Sequence, residues 1–543
     1  MSQLLKTGKN AKTILIGALS LIVAFVLGAL TYLFLNYESI IRDKLQESLP
    51  ESVSIDFGSL AASPLNGTAQ IGNLNILIGP AGHTERYHSL SIDKVSAKGI
   101  GIMALLNRDR LSIDNLTIEG GRLVLNNVLL EDSSGTKTSG KPGIGKVKRI
   151  EIASLDFDRL AFLMKGDSVN ECTFTSHMKF GDIAVDLPPG DFTLNDVTYE
   201  IREMTFDSVI YAPQGGMYRY GASRVEYTGE QLAVDSFSIE ATYPKFEFAH
   251  RVGKQIDVFD LSVDSLLVEG FSHSKMMDSL FEATTVAVHG ASLHVFRDRR
   301  MPFIKDHQEP LPMKVLRELP YTVRVGSIDM KNMDIVYEEF PEEGAKSGSI
   351  AFRDVDAHFD GVDNRVDTFN SFINLSVAAR FMDSGLLKAK FAFPMNRRNL
   401  YYAEGTLQNF ELTDLNPSLE HLALVRIESG KMNSMAFNFD YNDDVSHGNV
   451  LLLYEDLKMT ALKEQQSQPS ANKVKTFILN LLFAKRNKED EVRLAKRNGT
   501  IEFERDKKRS IFNYWWKSLA TGIKTSNSVN DIFEGNGGTG GRQ

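Results

Sequence analysis

A short apolar pattern recurs along most of this 543-residue chain and restricts its fold more than any other feature. Residues 111–120 read LSIDNLTIEG and residues 261–270 read LSVDSLLVEG, with six of ten positions identical. The shared form is apolar-x-apolar-x-x-apolar-x-apolar. Looser copies begin at Ala69, Leu90, Ile150, Met178, Phe192, Leu232, Val323 and Ile350. Alternation at period two is typical of a β-strand with one buried face, so the chain is predicted to be mainly β.

Two polar residues stand in the middle of each copy, where strict alternation expects one. The second apolar pair would therefore point to the opposite face of the sheet, and one extra residue in a β-bulge returns it to the first face. Asp114-Asn115 and Asp264-Ser265 are residue types that tolerate such a backbone. We therefore predict bulged strands. The alternative is a two-residue hairpin at this point, which would leave strands of three residues on each side.

The sequence between the copies is also typical of strands. Alternating segments occupy residues 53–57, 122–126, 245–250, 371–381 and 385–393. The last two are joined through Met382-Asp383-Ser384-Gly385, which predicts a hairpin. Helical patterns are short, at 101–109 and 274–283. Roughly 20 strands at ~4.8 Å predict a sheet about 100 Å long.

Residues 13–37 carry no charge and read TILIGALSLIVAFVLGALTYLFLNY. A helix of this length, ~37 Å, exceeds a hydrocarbon core of ~30 Å, so it predicts a transmembrane helix. Lys6, Lys9 and Lys12 precede it without an acidic residue, which predicts a cytoplasmic N-terminus at residues 1–12. The alternative is a cleaved signal peptide. The apolar stretch is too long for one and no clear A-x-A site follows it, which favours an uncleaved anchor.

A basic segment at 463–525 carries two amphipathic helical patterns. Residues 473–524 hold 14 Lys/Arg and 6 Asp/Glu. The residues predicted to contact a membrane or a partner are Phe477, Leu481, Ile511, Trp515, Trp516 and Leu519. Basic ends with Trp and Phe on an apolar face suit an interfacial helix on anionic lipid. The alternative is that these helices cap the open end of the sheet and bury Trp515.

Several classes of protein are disfavoured by the composition. A single cysteine, Cys172, rules out a disulfide framework, and a net charge of -9 argues against nucleic-acid binding. The sequence contains no H-E-x-x-H motif, no metal-ligand spacing and no G-x-S-x-G motif. Two imitations of a phosphate-binding loop, at 135–141 and 140–146, lack the following Ser or Thr. We therefore predict a non-enzymatic protein without a cofactor or a bound metal.

A long sheet with one apolar face must bury that face. It either folds against itself or curls into a groove in which lipid chains cover it. Under the groove hypothesis, the residues expected to line it are Ile92, Ile113, Leu116, Ile118, Val263, Leu266, Val268, Leu375 and Val377. An acyl chain of about fifteen methylenes needs ~12 kcal/mol of apolar shelter to leave a bilayer without loss. A continuous apolar surface supplies such shelter without a single tight site.

Three features together resemble the AsmA-like proteins of diderm bacteria. They are the single N-terminal anchor, the LSIDNLTIEG strand units, and the stretch 405–462. In that stretch GTLQNFELTDLNPSLE is followed by IESGKMNSMAFNFDY and then by GNVLLLYEDLKM. The resemblance implies an elongated, twisted, mostly antiparallel β groove, anchored in the bacterial inner membrane and projecting into the periplasm. It also implies a role for phospholipid acyl chains, in lipid transport or in outer-membrane assembly.

These observations predict an organisation in six parts. They are a basic cytoplasmic N-terminus (1–12), a transmembrane helix (13–37), a repeated-strand groove region (38–370) with a flexible insertion (131–146), an AsmA-like C-terminal β region (371–462), a basic amphipathic helical segment (463–525) and a disordered tail (526–543). The bulk of the chain is expected in the periplasm, with an envelope protein as a further partner at the C-terminus. The alternative function is a structural or scaffolding ectodomain that binds envelope proteins through a closed β core.

Overall fold

A computed structural model describes twelve segments of the chain. They are residues 53–63, 66–78, 88–101, 110–126, 148–165, 171–186, 197–213, 216–303, 308–365, 372–395, 399–462 and 495–526. The predicted features outside these residues are the transmembrane helix at 13–37, the insertion at 131–146, nearly all of the helical pattern at 101–109, the amphipathic stretch that contains Phe477 and Leu481, and the tail at 526–543 except Ser526, which is helical. Among the described residues, no helix has the length and apolar character needed to cross a membrane.

The described residues are mainly β-strand, as the alternating pattern predicts. The strands are β1 (Val53–Asp56), β2 (Ser59–Ser63), β3 (Thr68–Ile78), β4 (His88–Lys98), β5 (Arg110–Asn126), β6 (Arg149–Lys165), β7 (Glu171–Asp186), β8 (Val197–Ala212), β9 (Tyr218–Tyr227), β10 (Gln231–Ala241), β11 (Asp257–Glu269), β12 (Leu280–Asp298), β13 (Thr322–Phe340), β14 (Gly348–Asp363), β15 (Phe372–Phe381), β16 (Gly385–Pro394), β17 (Tyr401–Glu411), β18 (Val425–Tyr441), β19 (Val445–Ala461) and β20 (Ala495–Glu504). The helices are α1 (Lys245–Val252), α2 (His273–Met277), α3 (Pro312–Arg317), α4 (Asn416–Leu422) and α5 (Ile511–Ser526), with a 3-10 turn at Leu412–Leu415.

The chain divides into two compact units, unit 1 up to Gly229 and unit 2 from Glu230 onward. In unit 1, β3 pairs with β1 and β2, and β3 to β9 follow one another as neighbours. In unit 2, β10 to β20 follow one another in the same way. Each unit is antiparallel except for one parallel pair, β5–β6 in unit 1 and β12–β13 in unit 2. A parallel pair needs a long crossover, and the insertion predicted at 131–146 falls in the first one.

The recurrent pattern reads the same in both directions, so it aligns with itself in antiparallel and in parallel pairs. In the antiparallel pair β3–β4, the four apolar positions of 69–78 lie opposite the four of 90–99. In the parallel pair β5–β6, those of 111–120 lie opposite those of 150–159. One short pattern can therefore build a continuous apolar face through successive strands of either direction.

The predicted β-bulges are wrong at the polar doublets of 111–120 and 261–270, whereas the copy that begins at Ile350 has the predicted register shift at Arg353-Asp354. The register passes Asp264 without a shift on both sides of β11, and it passes Asp114 without a shift between β5 and β6. In the pairs β5–β6 and β10–β11 the two doublets lie at one level, so both strands gain a residue there and the register is kept. Residues with left-handed backbone stand beside the aspartates, Gly99 (φ 70°) by Asp114 and Gly290 (φ 63°) by Asp264. The two apolar pairs of 111–120 nevertheless share one core, as predicted.

The strand predicted at 245–250 is also wrong, because these residues begin helix α1. Pro244 precedes the helix and Gly253, with φ 71°, ends it in the left-handed conformation. Glu247 and Arg251 form an ion pair one turn apart, with 2.8 Å between Oε1 and Nη2. Six alternating residues fit a strand or a helix equally well, and these helix-end signals decide the outcome.

Two other local predictions can be compared with the structure. The hairpin at 371–393 is confirmed, because β15 and β16 pair in register from Phe372 to Phe381. The helical pattern at 274–283 is confirmed in its first half, where α2 runs from His273 to Met277. Its second half belongs to β12, which begins at Leu280.

Candidate functional site

Two rows of apolar residues cross unit 2 at right angles to its strands, from β11 to β18. Residues in each row are direct register partners on successive strands. The first row is Val268, Val286, Ile328, Phe359, Leu375, Phe391, Ala403 and Phe439. The second row is Leu266, Val288, Met330, Ala357, Val377, Ala389, Gly405 and Phe437. We call these two rows the apolar lane, and we take it as the candidate site.

The middle of the apolar lane is partly open to solvent, whereas its ends are buried. Val268 at one end is 3% exposed and Phe439 at the other is 5% exposed. The partly exposed members of the first row are Val286, Ile328, Phe359, Leu375 and Phe391. Five consecutive strands, β12 to β16, therefore present apolar side chains that no other part of unit 2 covers completely. Four strand spacings of ~4.8 Å make this stretch about 19 Å long.

The opposite face of the same strands is polar. Between the two rows runs a third set of register partners, which includes Asp329, His358, Ser376 and Lys390. His358 Nδ1 and Asp329 Oδ1 lie 2.8 Å apart on this surface. Because side chains alternate between faces, the sheet presents hydrocarbon on one side and charge on the other.

Helix α5 packs on the apolar lane near the end formed by β16 to β18. The Trp515 ring stacks on Phe391, with 4.4 Å between ring centroids and 25° between planes. The Ser518 and Ser446 hydroxyls lie 2.7 Å apart and tie the helix to β19. Gly522 allows a close approach, because a Cβ there would crowd Val450 and Ile501. The helix thus covers part of Phe391 and closes one end of the lane, while Val286, Ile328, Phe359 and Leu375 stay partly exposed away from it.

Aromatic side chains under α5 make this closed end dry. The rings of Tyr401 and Tyr441 stack at 5.0 Å, and Tyr514 of α5 meets Tyr441 edge-on at 5.7 Å. Burial raises the pKa of Tyr401 to about 12 and also raises the pKa of Tyr441. Both shifts reflect the poor solvation of a phenolate in this region.

The four groove residues predicted in unit 1 lie in a packed core. Ile92, Ile113, Leu116 and Ile118 are no more than 2% exposed. They belong to one continuous cluster built by β3 to β7. A ligand could reach them only by displacing packed side chains, so unit 1 presents a closed apolar face in this structure.

The five groove residues predicted in unit 2 lie on β11 and β15. Leu266, Val268, Leu375 and Val377 are members of the apolar lane. Val263, further along β11, is buried. The sequence prediction did not single out Val286, Ile328, Phe359 and Phe391, which connect these two strands. The copies that begin at Val323 and Ile350 contain two of them, but their alignment follows from strand register alone.

The C-terminal residues predicted to contact a membrane or a partner separate into three groups. Phe477 and Leu481 lie outside the described residues. Ile511, Trp515 and Leu519 pack against the core of unit 2, as the capping alternative expects. Trp516 stays 44% exposed, and its neighbour one turn earlier, Phe512, is 71% exposed.

The apolar lane contains no group suited to acid–base, nucleophilic or metal chemistry. Within the described segments, no cluster of three or more His, Cys, Asp or Glu side chains could hold a metal ion. The lane can exclude water from an apolar ligand and discriminate by length and shape. Comparison of the chain with protein-family models and with curated proteins found no match.

Proposed function

We propose that this is a membrane-anchored periplasmic lipid-handling protein that holds acyl chains along the apolar lane of unit 2. The observation that carries the proposal is the row of partly exposed apolar side chains in register from Val286 to Phe391. A monomeric soluble surface rarely leaves a continuous apolar patch of this kind without a ligand or partner.

The dimensions of the lane support an acyl chain as its ligand. An extended chain that crosses β12 to β16 meets one apolar residue of each row on every strand. Complete shelter of about fifteen methylenes is worth ~12 kcal/mol, which offsets their removal from a bilayer. A surface without hydrogen-bonding groups discriminates little between headgroups, and this suits a protein that moves or presents several phospholipids.

The sequence supports the location. The uncharged stretch at 13–37 and the lysines before it favour a single anchor with the bulk of the chain on the far side. The resemblance to AsmA-like proteins agrees with an inner-membrane anchor and a role in phospholipid transport or envelope assembly. No step of this function requires an enzymatic residue, a metal or a cofactor.

A photocrosslinker at Leu375 tests the proposal in the full chain. Benzoylphenylalanine at this position faces the lane, whereas the same group at the exposed neighbour Ser376 faces the polar side. We expect lipid adducts at Leu375 in mass spectrometry of the protein crosslinked in its native membrane. Adducts at neither position, or equal yields at both, would refute acyl-chain binding in the lane.

A charge substitution gives a second measurement. Leu375→Glu places a carboxylate among hydrocarbon and should lower the lipid that co-purifies in mild detergent, whereas Ser376→Glu should leave it unchanged. Circular dichroism and thermal unfolding establish that both variants are folded. A folded Leu375→Glu protein with its full lipid content would contradict the proposal.

The closed face of unit 1 favours a second candidate function. Its core residues, such as Ile92 and Leu116, are almost fully buried and need no ligand. A β unit of this kind suits a structural or scaffolding ectodomain that binds envelope proteins through its surface. Under this alternative, neither Leu375 nor Ser376 captures lipid.

A further inference from the structure

Helix α5 exposes two large aromatic side chains that the core of unit 2 does not use. Phe512 is 71% exposed and Trp516 is 44% exposed, one helical turn apart. Trp515, beside them in the sequence, packs on Phe391 instead. The helix therefore packs on the sheet with one face and leaves these two rings largely exposed, with Phe512 meeting Trp515 edge-on at 5.6 Å between ring centroids.

The chain around this aromatic pair is strongly basic. From Arg505 to Ser526 it contains six Lys/Arg and a single acidic residue, Asp506. Lys508 and Lys517 are exposed and form no ion pair with any described residue. Lys508 lies in the turn before α5, and Lys517 follows Trp516 directly.

This positive charge is not explained by the stability of the helix. Cations near a helix N-terminus oppose the helix dipole, and the first turn of α5 carries no acidic residue. Burial, together with the positive charges of Arg299 and Arg297, lowers the pKa of Arg509. Burial and the positive charge of Arg299 also lower the pKa of Lys517, so several cations lie close together on this side of the helix.

We propose that Phe512, Trp516, Lys508 and Lys517 form a docking surface for an anionic lipid membrane. Tryptophan sits at the headgroup level of a bilayer, phenylalanine on the same helix adds apolar contact, and lysines beside them gain from anionic lipids. A protein partner could also bury the aromatic pair, but Lys508 and Lys517, which have no carboxylate partner among the described residues, favour a surface of phosphates. Docking here would bring the closed end of the apolar lane to a bilayer.

The two tryptophans of the chain, Trp515 and Trp516, make the docking surface directly observable. The variant Trp515→Phe keeps a ring on Phe391 and leaves Trp516 as the sole tryptophan. The full chain is held in nanodiscs of unbrominated phosphatidylcholine and mixed with vesicles of brominated phosphatidylglycerol and phosphatidylcholine. We expect quenching of Trp516 by these vesicles and little quenching by brominated phosphatidylcholine alone. The reciprocal variant Trp516→Phe, which reports on Trp515, should respond much less.

Variants of the Trp515→Phe chain that remove charge or an apolar ring separate the electrostatic and the apolar contributions to docking. Each cation near an anionic surface is worth about a fivefold change in binding, so Lys508→Gln with Lys517→Gln should weaken docking roughly 25-fold. The matched control removes two lysines from the polar side of β16, Lys388→Gln with Lys390→Gln, and should change it little.

Loss of the exposed ring in Phe512→Ser should weaken docking at least tenfold, by about the transfer free energy of a phenylalanine side chain. Circular dichroism and thermal unfolding of the same variant establish that it is still folded.

Three outcomes would overturn the docking surface. They are no quenching by anionic vesicles, equal quenching by zwitterionic vesicles, or equal effects of the two lysine pairs. The first would leave the aromatic pair to a protein partner. Lipid capture at Leu375 and quenching of Trp516 are separate readouts, so the lane and the docking surface can fail independently.

Discussion

The contact between Asp264 and Gly290 offers a direct test of how neighbouring strands keep one apolar face at the polar doublets. Gly290 has φ 63°, and a Cβ at this position would overlap the Asp264 carboxylate. The perturbation is Gly290→Ala. Gly361 on β14 provides a matched control, because its φ is 68° and nothing lies within contact distance of its Cβ position.

The structure separates the expected cost into two parts. An alanine in the left-handed conformation costs ~1–2 kcal/mol, and Gly361→Ala should lose that amount alone. Gly290→Ala must also push the Asp264 side chain out of its preferred rotamer, which adds about 1 kcal/mol. The variant Asp264→Ala lacks the carboxylate. Relative to this variant, the double variant Asp264→Ala/Gly290→Ala should lose only as much free energy of unfolding as Gly361→Ala loses relative to the wild-type chain.

Equilibrium unfolding in urea measures these differences. Trp515 and Trp516 both lie in unit 2, so their fluorescence follows the unit that contains both glycines. The coupling between the two substitutions in the double variant isolates the contact of Asp264 with residue 290. If Gly290→Ala is no more destabilising than Gly361→Ala, the aspartate does not pack on this glycine and our account of the polar doublets is wrong.

Three further predictions follow from buried side chains. Ile118→Ala should destabilise unit 1 by ~2–5 kcal/mol in hydrogen-exchange measurements of β5, and a loss below ~1 kcal/mol would contradict a closed core. Burial raises the pKa of Cys172 to about 11, so iodoacetamide should alkylate it far more slowly at pH 8 in the folded chain than in urea. The hydrogen bond from Arg300, which outweighs burial, lowers the pKa of Asp298. Its stabilisation is therefore present above the unfolded-state pKa of ~3.9 and lost as the pH falls through the lower folded value. Asp298→Asn should reduce the melting temperature at pH 7 and flatten its decline in acid, and an unchanged acid profile would exclude this contribution.

The order of polar and apolar residues was enough to predict the strands and the face each presents. The pattern at 111–120 places its two apolar pairs in one core, as its spacing requires. The bulge is absent at 111–120 and 261–270 but present at Arg353-Asp354, because a bulge is a property of two strands. A single sequence shows an extra residue in one strand, but not that its partner gains one at the same level.

Local signals also decided where short alternation becomes a helix. The six alternating residues after Pro244 resemble a strand, yet the cap at Gly253 and the pairing of Glu247 with Arg251 form α1. These helix-end signals are visible in the sequence, but the prediction gave more weight to the period-two alternation. The prediction failed there because a short window cannot distinguish period two from one helical turn.

Exposure was decided by the tertiary structure. Ile118 and Leu375 both alternate with polar residues, but one is sealed in a core and the other lies on a partly open lane. Trp515 and Trp516 are consecutive, yet one stacks on Phe391 and the other faces solvent. Side-chain order determines which face of an element is apolar, because that depends on backbone period alone. What covers the face depends on segments far away in the chain, so the candidate site emerged only from the packing of complete units.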